Sequence, residues 1–174
     1  MDGPGTLDWQ ESYRKLVAAP VGSWLDAFGL DVLAAPIDPE LADTAAFCEH
    51  YGVRLTQSAN CVVIAGRRGD TVSYAACVVL ATTRADVNGL VRRRLDSRKA
   101  SFAPMGDAVA LSGMEHGGIT PLGLPEDWPV LVDAAVLEQD AVVIGSGLRR
   151  SKLAVSPGAL AALPGFDVVD GLAR

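Results

Sequence analysis

Residues 61–81 read CVVIAGRRGDTVSYAACVVLA, and this stretch decides the fold. Two apolar runs, 61–65 and 71–81, flank the five-residue turn Gly66-Arg67-Arg68-Gly69-Asp70. Runs rich in β-branched residues around a short Gly-containing turn predict a β-hairpin. Both runs are almost wholly apolar, so the hairpin is expected to be covered on both faces.

Upstream, residues 7–18 carry Leu7, Tyr13, Leu16 and Val17 and read as a helix, with a second helical stretch at 22–28 after Pro20. Residues 31–37 read as a strand stopped by Pro39. Asp43 or Thr44 can cap a helix reaching Tyr51, which Gly52 ends. Downstream, Asp86 caps a helix through Leu95, whose Val87, Leu90 and Val91 share a face. A short strand at 100–102 precedes Pro104, and Asp107 caps a short helix through Leu111. Residues 130–132, 141–144, 152–155 and 168–169 read as strands. Residues 133–137 are helical, and Ser156-Pro157 open a last helix. Many short strands among helices, without regular βαβ alternation, imply an α+β fold built on a curled mixed sheet.

The 174 residues suit a single domain, and 49 % hydrophobic residues argue against an unstructured chain. No apolar run reaches the roughly 18 residues of a membrane span. The N-terminus is acidic with no signal-peptide core behind it, so a cytoplasmic protein without membrane association is expected. Three cysteines (Cys48, Cys61, Cys77) without C-x-x-C spacing are read as reduced thiols, and no metal site is expected. The net charge of −6 argues against a general nucleic-acid binder. It is uneven, however: residues 1–50 hold nine acids and two bases, the rest twelve acids and thirteen bases. A local basic surface on the later part is compatible with that balance.

The chemistry-bearing stretch is GMEHGGITPLGLP at 113–125, followed by GSG at 145–147. Gly117-Gly118 opens backbone angles closed to other residues and Pro121 fixes its own, so the loop can present bare backbone groups to a ligand. Of the two histidines, His50 reads as a helix-end residue. His116 reads either as a contact residue or as a loop polar group. Ser146 lies in a glycine-flanked turn, as a turn residue or as a ligand contact. No G-x-S-x-G, Walker motif or G-x-G-x-x-G is present. Basic residues at Arg84, Arg92–Arg94, Arg98-Lys99 and Arg149-Arg150-Lys152 form either a solvated face or phosphate contacts.

These residues resemble the YbaK/EbsC family of aminoacyl-tRNA deacylases, relatives of the editing domain inserted in bacterial prolyl-tRNA synthetases. The resemblance runs through residues 113–125, PVLVD at 129–133, VVIGSG at 142–147 and SKLAVSP at 151–157. It covers roughly residues 40–170, with 1–40 expected as an extension packed on a domain at 41–174. It implies a curled, barrel-like mixed sheet wrapped by helices, and one small pocket without metal or organic cofactor. The implied activity is hydrolysis of the ester joining a wrong amino acid to tRNA. The implied partner is the aminoacyl-tRNA acceptor end, with an aminoacyl-tRNA synthetase as a further candidate.

By the same resemblance, His116, Gly117, Ile119, Thr120 and Pro121 form a selectivity loop with Gly118 as a catalytic position. Gly145, Ser146 and Gly147 form the opposing wall, and Arg98 and Lys99 meet the tRNA end. Asn60 falls where many members carry a lysine central to activity. A neutral amide there marks a different substrate, a weaker hydrolase, or a non-catalytic module that binds aminoacyl-tRNA or a small aminoacyl-like ligand. Lys99 is the candidate replacement cation.

Overall fold

The computed structural model describes residues 2–174. The hairpin is its spine. Strands β2 (Ala59–Arg68) and β3 (Thr71–Leu80) are antiparallel and paired over ten residues each. The strands continue through Gly66, Arg67 and Arg68, so the expected five-residue turn shrinks to Gly69-Asp70. Gly69 has φ +60°, and a glycine at the first of two turn positions suits the twist of the flanking strands. Both faces of the hairpin are covered. Ala76 and Val78 enter one core cluster, while Ile64, Cys77 and Val79 enter another. Full burial of a residue such as Val78 contributes about 1.5–3 kcal/mol.

Around this spine lie β1 (Val32–Pro36), β4 (Lys99–Phe102), β5 (Val130–Asp133), β6 (Val142–Gly145), β7 (Ser151–Val155) and β8 (Phe166–Val169). They form two sheets, ordered β4-β2-β3-β5-β8 and β1-β7-β6. The larger is mixed, with β5 parallel to both β3 and β8, and the smaller is antiparallel. A bridge between Ser58 and Val143 joins them where β2 begins. The result is a curled α+β architecture, barrel-like but not a closed barrel. No helix among the described residues is long and apolar enough to cross a membrane.

Helix α1 (Ala19–Phe28) starts with a proline in its first turn and ends at Gly29 in the left-handed conformation. Helix α2 (Thr44–Tyr51) ends the same way at Gly52. The Asp86 carboxylate accepts from the amides of Gly89 and Leu90. Those bonds, Leu90's foremost, hold its pKa below the usual carboxylate value. The segment it caps is a wide π turn, Val87–Val91, continued by the one-turn helix α3 (Arg92–Arg94). Helix α4 (Met105–Ser112) has Pro104 at its cap position, and Asp107 lies within its first turn rather than before it. Helix α5 (Pro157–Ala161) follows Ser156.

The helix expected at 7–18 does not form. The segment runs irregularly along the edge of β1, where Gln10 and Ala34 exchange two 2.8 Å backbone hydrogen bonds. Its apolar residues do not share one helix face. Leu7 packs in the cluster around Phe47, while Tyr13, Leu16 and Val17 pack in the main core. Covering the edge strand satisfies backbone groups that a helix would leave open.

Candidate functional site

The junction of the two sheets opens into a cavity of about 390 Å³. This is near the lower end of the volumes usual for small-molecule sites, about 300–1,000 Å³. One wall is the start of β2, another the loop after α4, a third the end of β6, and a fourth the N-terminus of α2. Strand register explains what faces it. In the small sheet Val142, Ile144, Leu153 and Val155 enter the main core, whereas Val143 packs with Ala42, Phe47 and Cys48 under α2. Side chains alternate along a strand, so Gly145 and its register partner Lys152 share the face of Val143.

Asn60 and Lys152 supply the polar core of the site. Thr44 Oγ1 donates to Asn60 Oδ1 at 2.7 Å, which leaves the amide Nδ2 as a donor toward the cavity. Lys152 Nζ donates to the Ala42 carbonyl at 3.2 Å and lies 5.1 Å from the centre of the Phe47 ring. Burial holds the Lys152 pKa below the usual lysine value. Asp43 and His116 also line the cavity, among aliphatic groups from Val63, Ala108 and Ile119. Phe102 and Met105 stand at it with 64 % and 51 % of their surfaces exposed.

Cys61 is the one thiol in the lining. Burial, with a smaller contribution from Cys77, pushes its pKa up, and Cys77 itself is pushed up to about 12. Both thiols are therefore protonated and poor nucleophiles near neutral pH. Among the described residues, no three His, Cys, Asp or Glu side chains gather closely enough to hold a metal ion.

Of the residues expected at the site, Asn60, His116, Gly117, Ile119 and Gly145 meet at this cavity. Gly118 stands behind the wall. Its N–H donates to the Glu115 carbonyl at 3.0 Å and its carbonyl accepts from the Gly147 N–H at 2.7 Å. Gly145 permits that arrangement, because a Cβ there would lie 2.5 Å from the Gly118 carbonyl oxygen and 2.6 Å from that of Ile119. Gly117, at φ +80°, packs against the Arg149 guanidinium.

Thr120, Pro121, Ser146 and Gly147 do not line the cavity. Thr120 is fully buried and its hydroxyl has no partner. Ser146 is also fully buried, and its hydroxyl serves the turn through Ser151 Oγ at 2.8 Å and the Leu148 N–H at 3.1 Å. Pro121 lines a separate groove with Trp24, Phe28 and Phe166, and Gly147 packs on Ala18. Arg98 and Lys99 line another groove, with Arg67 and Arg92, along the outer edge of β4. Lys99 is thus not the cation of the cavity; Lys152 is. His50 lies in the last turn of α2, stacked edge-on against Tyr51.

Two residues of the site, Lys152 and Thr44, are not singled out by sequence reasoning. Lys152 reads as part of one basic cluster with Arg149 and Arg150, although a lysine inside the apolar strand SKLAV is itself a signal of an inward position. Thr44 reads only as a helix cap, and no local pattern links it to Asn60.

Solved structures share this fold. The hypothetical protein APE2540 superimposes with a TM-score of 0.78 at 21 % identity, covering 89 % of this chain and 99 % of that one. A proposed trans-editing enzyme for prolyl tRNA synthetase matches with a TM-score of 0.74 at 22 % identity, over 87 % of this chain and 93 % of its own. A scaffold used for computational epitope grafting matches with a TM-score of 0.74 at 23 % identity, over 88 % and 95 %. No curated protein matches the chain. The family model for the aminoacyl-tRNA editing domain matches residues 38–163, a span that contains every lining residue of the cavity. The chain belongs to the aminoacyl-tRNA editing domain family.

Proposed function

We propose that the protein is a trans-acting aminoacyl-tRNA deacylase, hydrolysing the ester between an amino acid and the terminal ribose of a mischarged tRNA. The observation that carries this reading is the convergence of an oriented amide, Asn60, and a lysine, Lys152, on one small cavity with aliphatic walls. An aminoacyl ester is already activated. Holding its carbonyl and a water in register, with hydrogen-bond donors where negative charge develops, can suffice without a side-chain nucleophile.

In this reading the amino-acid side chain lies among Val63, Ala108 and Ile119, and Asn60 Nδ2 donates to the aminoacyl group. Gly117, Gly118 and Ile119 form the selectivity loop, and Gly145 sets how closely that loop approaches the sheet. The acceptor end runs over the exposed Phe102 toward Arg98 and Lys99, which take backbone phosphates. Residues 1–40 act as an extension of the editing domain at 41–174.

The test is a panel of tRNAs mischarged with different amino acids. Release of at least one amino acid well above the buffer rate is expected. A folded sample that binds these tRNAs and releases nothing would overturn the deacylase reading in favour of a non-catalytic module.

A further inference from the structure

We propose that the ammonium of Lys152 is the oxyanion donor of this cavity, holding the carbonyl oxygen of the bound ester and the negative charge that builds on it. This rests on the deacylase reading above.

Lys152 is on the central strand of the small sheet, between Ala35 of β1 and Gly145 of β6. The residue opposite it in β6, Gly145, has no side chain, and the loop backbone at Gly118 and Ile119 packs against it, while Lys152 and Gly145 both line the cavity. The side chain ends in a half-closed box. The fully buried Phe47 ring faces its ammonium, and the Ala42 carbonyl takes one of its hydrogens. An ammonium has three donors, and the structure gives this one a single protein acceptor.

Among the described residues no carboxylate lies within ion-pair distance of Lys152. The one acid in the lining, Asp43, pairs with Arg149 at 3.8 Å and acts on Lys152 only at longer range. A half-buried ammonium with no carboxylate in contact is unfavourable unless something completes it. The missing partner here is an anion that enters the cavity or forms within it.

The segment that holds Lys152 also holds Asn60. The Ala42 carbonyl and the Thr44 hydroxyl are two residues apart, so the ammonium and the amide are anchored by one short stretch of chain. Both residues line the same cavity, and in this proposal their free donors meet on one oxygen there. The Phe47 ring and the Ala42 carbonyl fix the ammonium before substrate arrives, which is the condition for strong stabilisation of charge that appears only in the transition state.

In the hydrolytic step a water oxygen bonds to the ester carbon while the carbonyl electron pair moves onto the oxygen held by Lys152. Collapse of that adduct breaks the bond to the ribose oxygen. One water proton ends on the ribose hydroxyl and the other in solvent, leaving an amino-acid carboxylate and a deacylated tRNA. Lys152 keeps its protons throughout.

The experiment compares Lys152→Met and Lys152→Gln with the parent protein on two readouts. In single turnover on whichever mischarged tRNA the parent deacylates, both variants are expected to be slower by about 10²–10³-fold, the usual effect of losing one oxyanion donor. The second readout is binding of two adenosine derivatives. One carries an amide-linked aminoacyl group on the ribose, and the other carries an anionic, tetrahedral aminoalkyl phosphonate in its place. The parent is expected to bind the phosphonate more tightly, and both variants to lose about tenfold or more of that preference.

Lys152→Gln keeps a donor for Ala42, so a loss shared by both variants reports the charge rather than the packing. Variants that retain the parent's release rate or its preference overturn the proposal. So does a parent that binds the two derivatives equally, a result that decides the matter even if neither variant folds. A parent that releases no amino acid but prefers the phosphonate through Lys152 sinks the deacylase reading and leaves this anion site standing.

Discussion

Thr44 Oγ1 donates a 2.7 Å hydrogen bond to Oδ1 of Asn60, across sixteen residues of chain. The bond decides which end of the amide faces the cavity. Without it the amide can rotate and present its carbonyl to the substrate carbonyl, a repulsive pair. Thr44→Val keeps the shape and removes the donor. Deacylation is expected to fall by about threefold to tenfold, the equivalent of one ordinary hydrogen bond, with little change in thermal stability. Single-turnover rates beside melting curves check this, and an unchanged rate would mean that Asn60 is not oriented by Thr44.

Gly145→Ala tests the close approach of the loop to the small sheet. The added Cβ would lie 2.5 Å from one backbone carbonyl oxygen and 2.6 Å from the next, so the loop must move. Overpacking of this kind costs about 1–3 kcal/mol. Urea denaturation is expected to show that loss, together with altered amino-acid selectivity. A variant with parental stability and selectivity would show that the loop is not held against this residue.

Thr120 and Ser146 look alike in the sequence and predict opposite outcomes. The Thr120 hydroxyl is buried without a partner, so Thr120→Val removes an unsatisfied polar group and is expected to stabilise the protein by about 1 kcal/mol. At this chain length that is a rise in melting temperature of roughly 2–4 °C. Ser146→Ala strips partners from the Ser151 hydroxyl and the Leu148 amide, and is expected to destabilise by about 1–3 kcal/mol. Calorimetry on both variants decides. A Thr120→Val protein that loses substrate affinity instead would restore that hydroxyl to the binding site.

The groove of Arg67, Arg92, Arg98 and Lys99 is separate from the cavity but continues along the same edge strand as Phe102. Arg98→Gln combined with Lys99→Gln should weaken tRNA binding and reduce its salt dependence. Each phosphate that is no longer neutralised lowers the log–log slope by about one unit. Affinity titrations at several salt concentrations give the slope. An unaltered slope would move the RNA to another face.

Much of this architecture is legible in order along the chain. The almost wholly apolar runs at 61–65 and 71–81 announce a doubly covered hairpin, because little polar surface is left to face water. The glycine at 52 closes α2 as its position after the last helical residue suggests. The segment 7–18 misleads, since four scattered apolar residues fit a helix on paper but divide between two core clusters in space. At the site, the glycine at 117 is readable from its backbone freedom, whereas the one at 145 is placed by the family resemblance and its close packing shows only in space. Thr120 and Ser146 count as contacts only by the family resemblance, and a loop sequence does not reveal how deep its hydroxyls lie.

The sequence by itself determined a central hairpin, an α+β fold, a glycine-rich loop facing a second glycine turn, and a neutral residue at position 60. The hairpin and the fold class follow from local chemistry, from side-chain branching and hydrophobic runs within a few residues, while the facing of loop and turn and the weight of position 60 come from the family resemblance. Tertiary structure alone decided which cation serves the cavity. Lys99 is the candidate cation by sequence, yet it lies on an exposed sheet edge, whereas Lys152 lies under α2 against Phe47. That choice depends on strand order and register, which bring residues 42–44, 60 and 152 to one place through pairings no local pattern encodes.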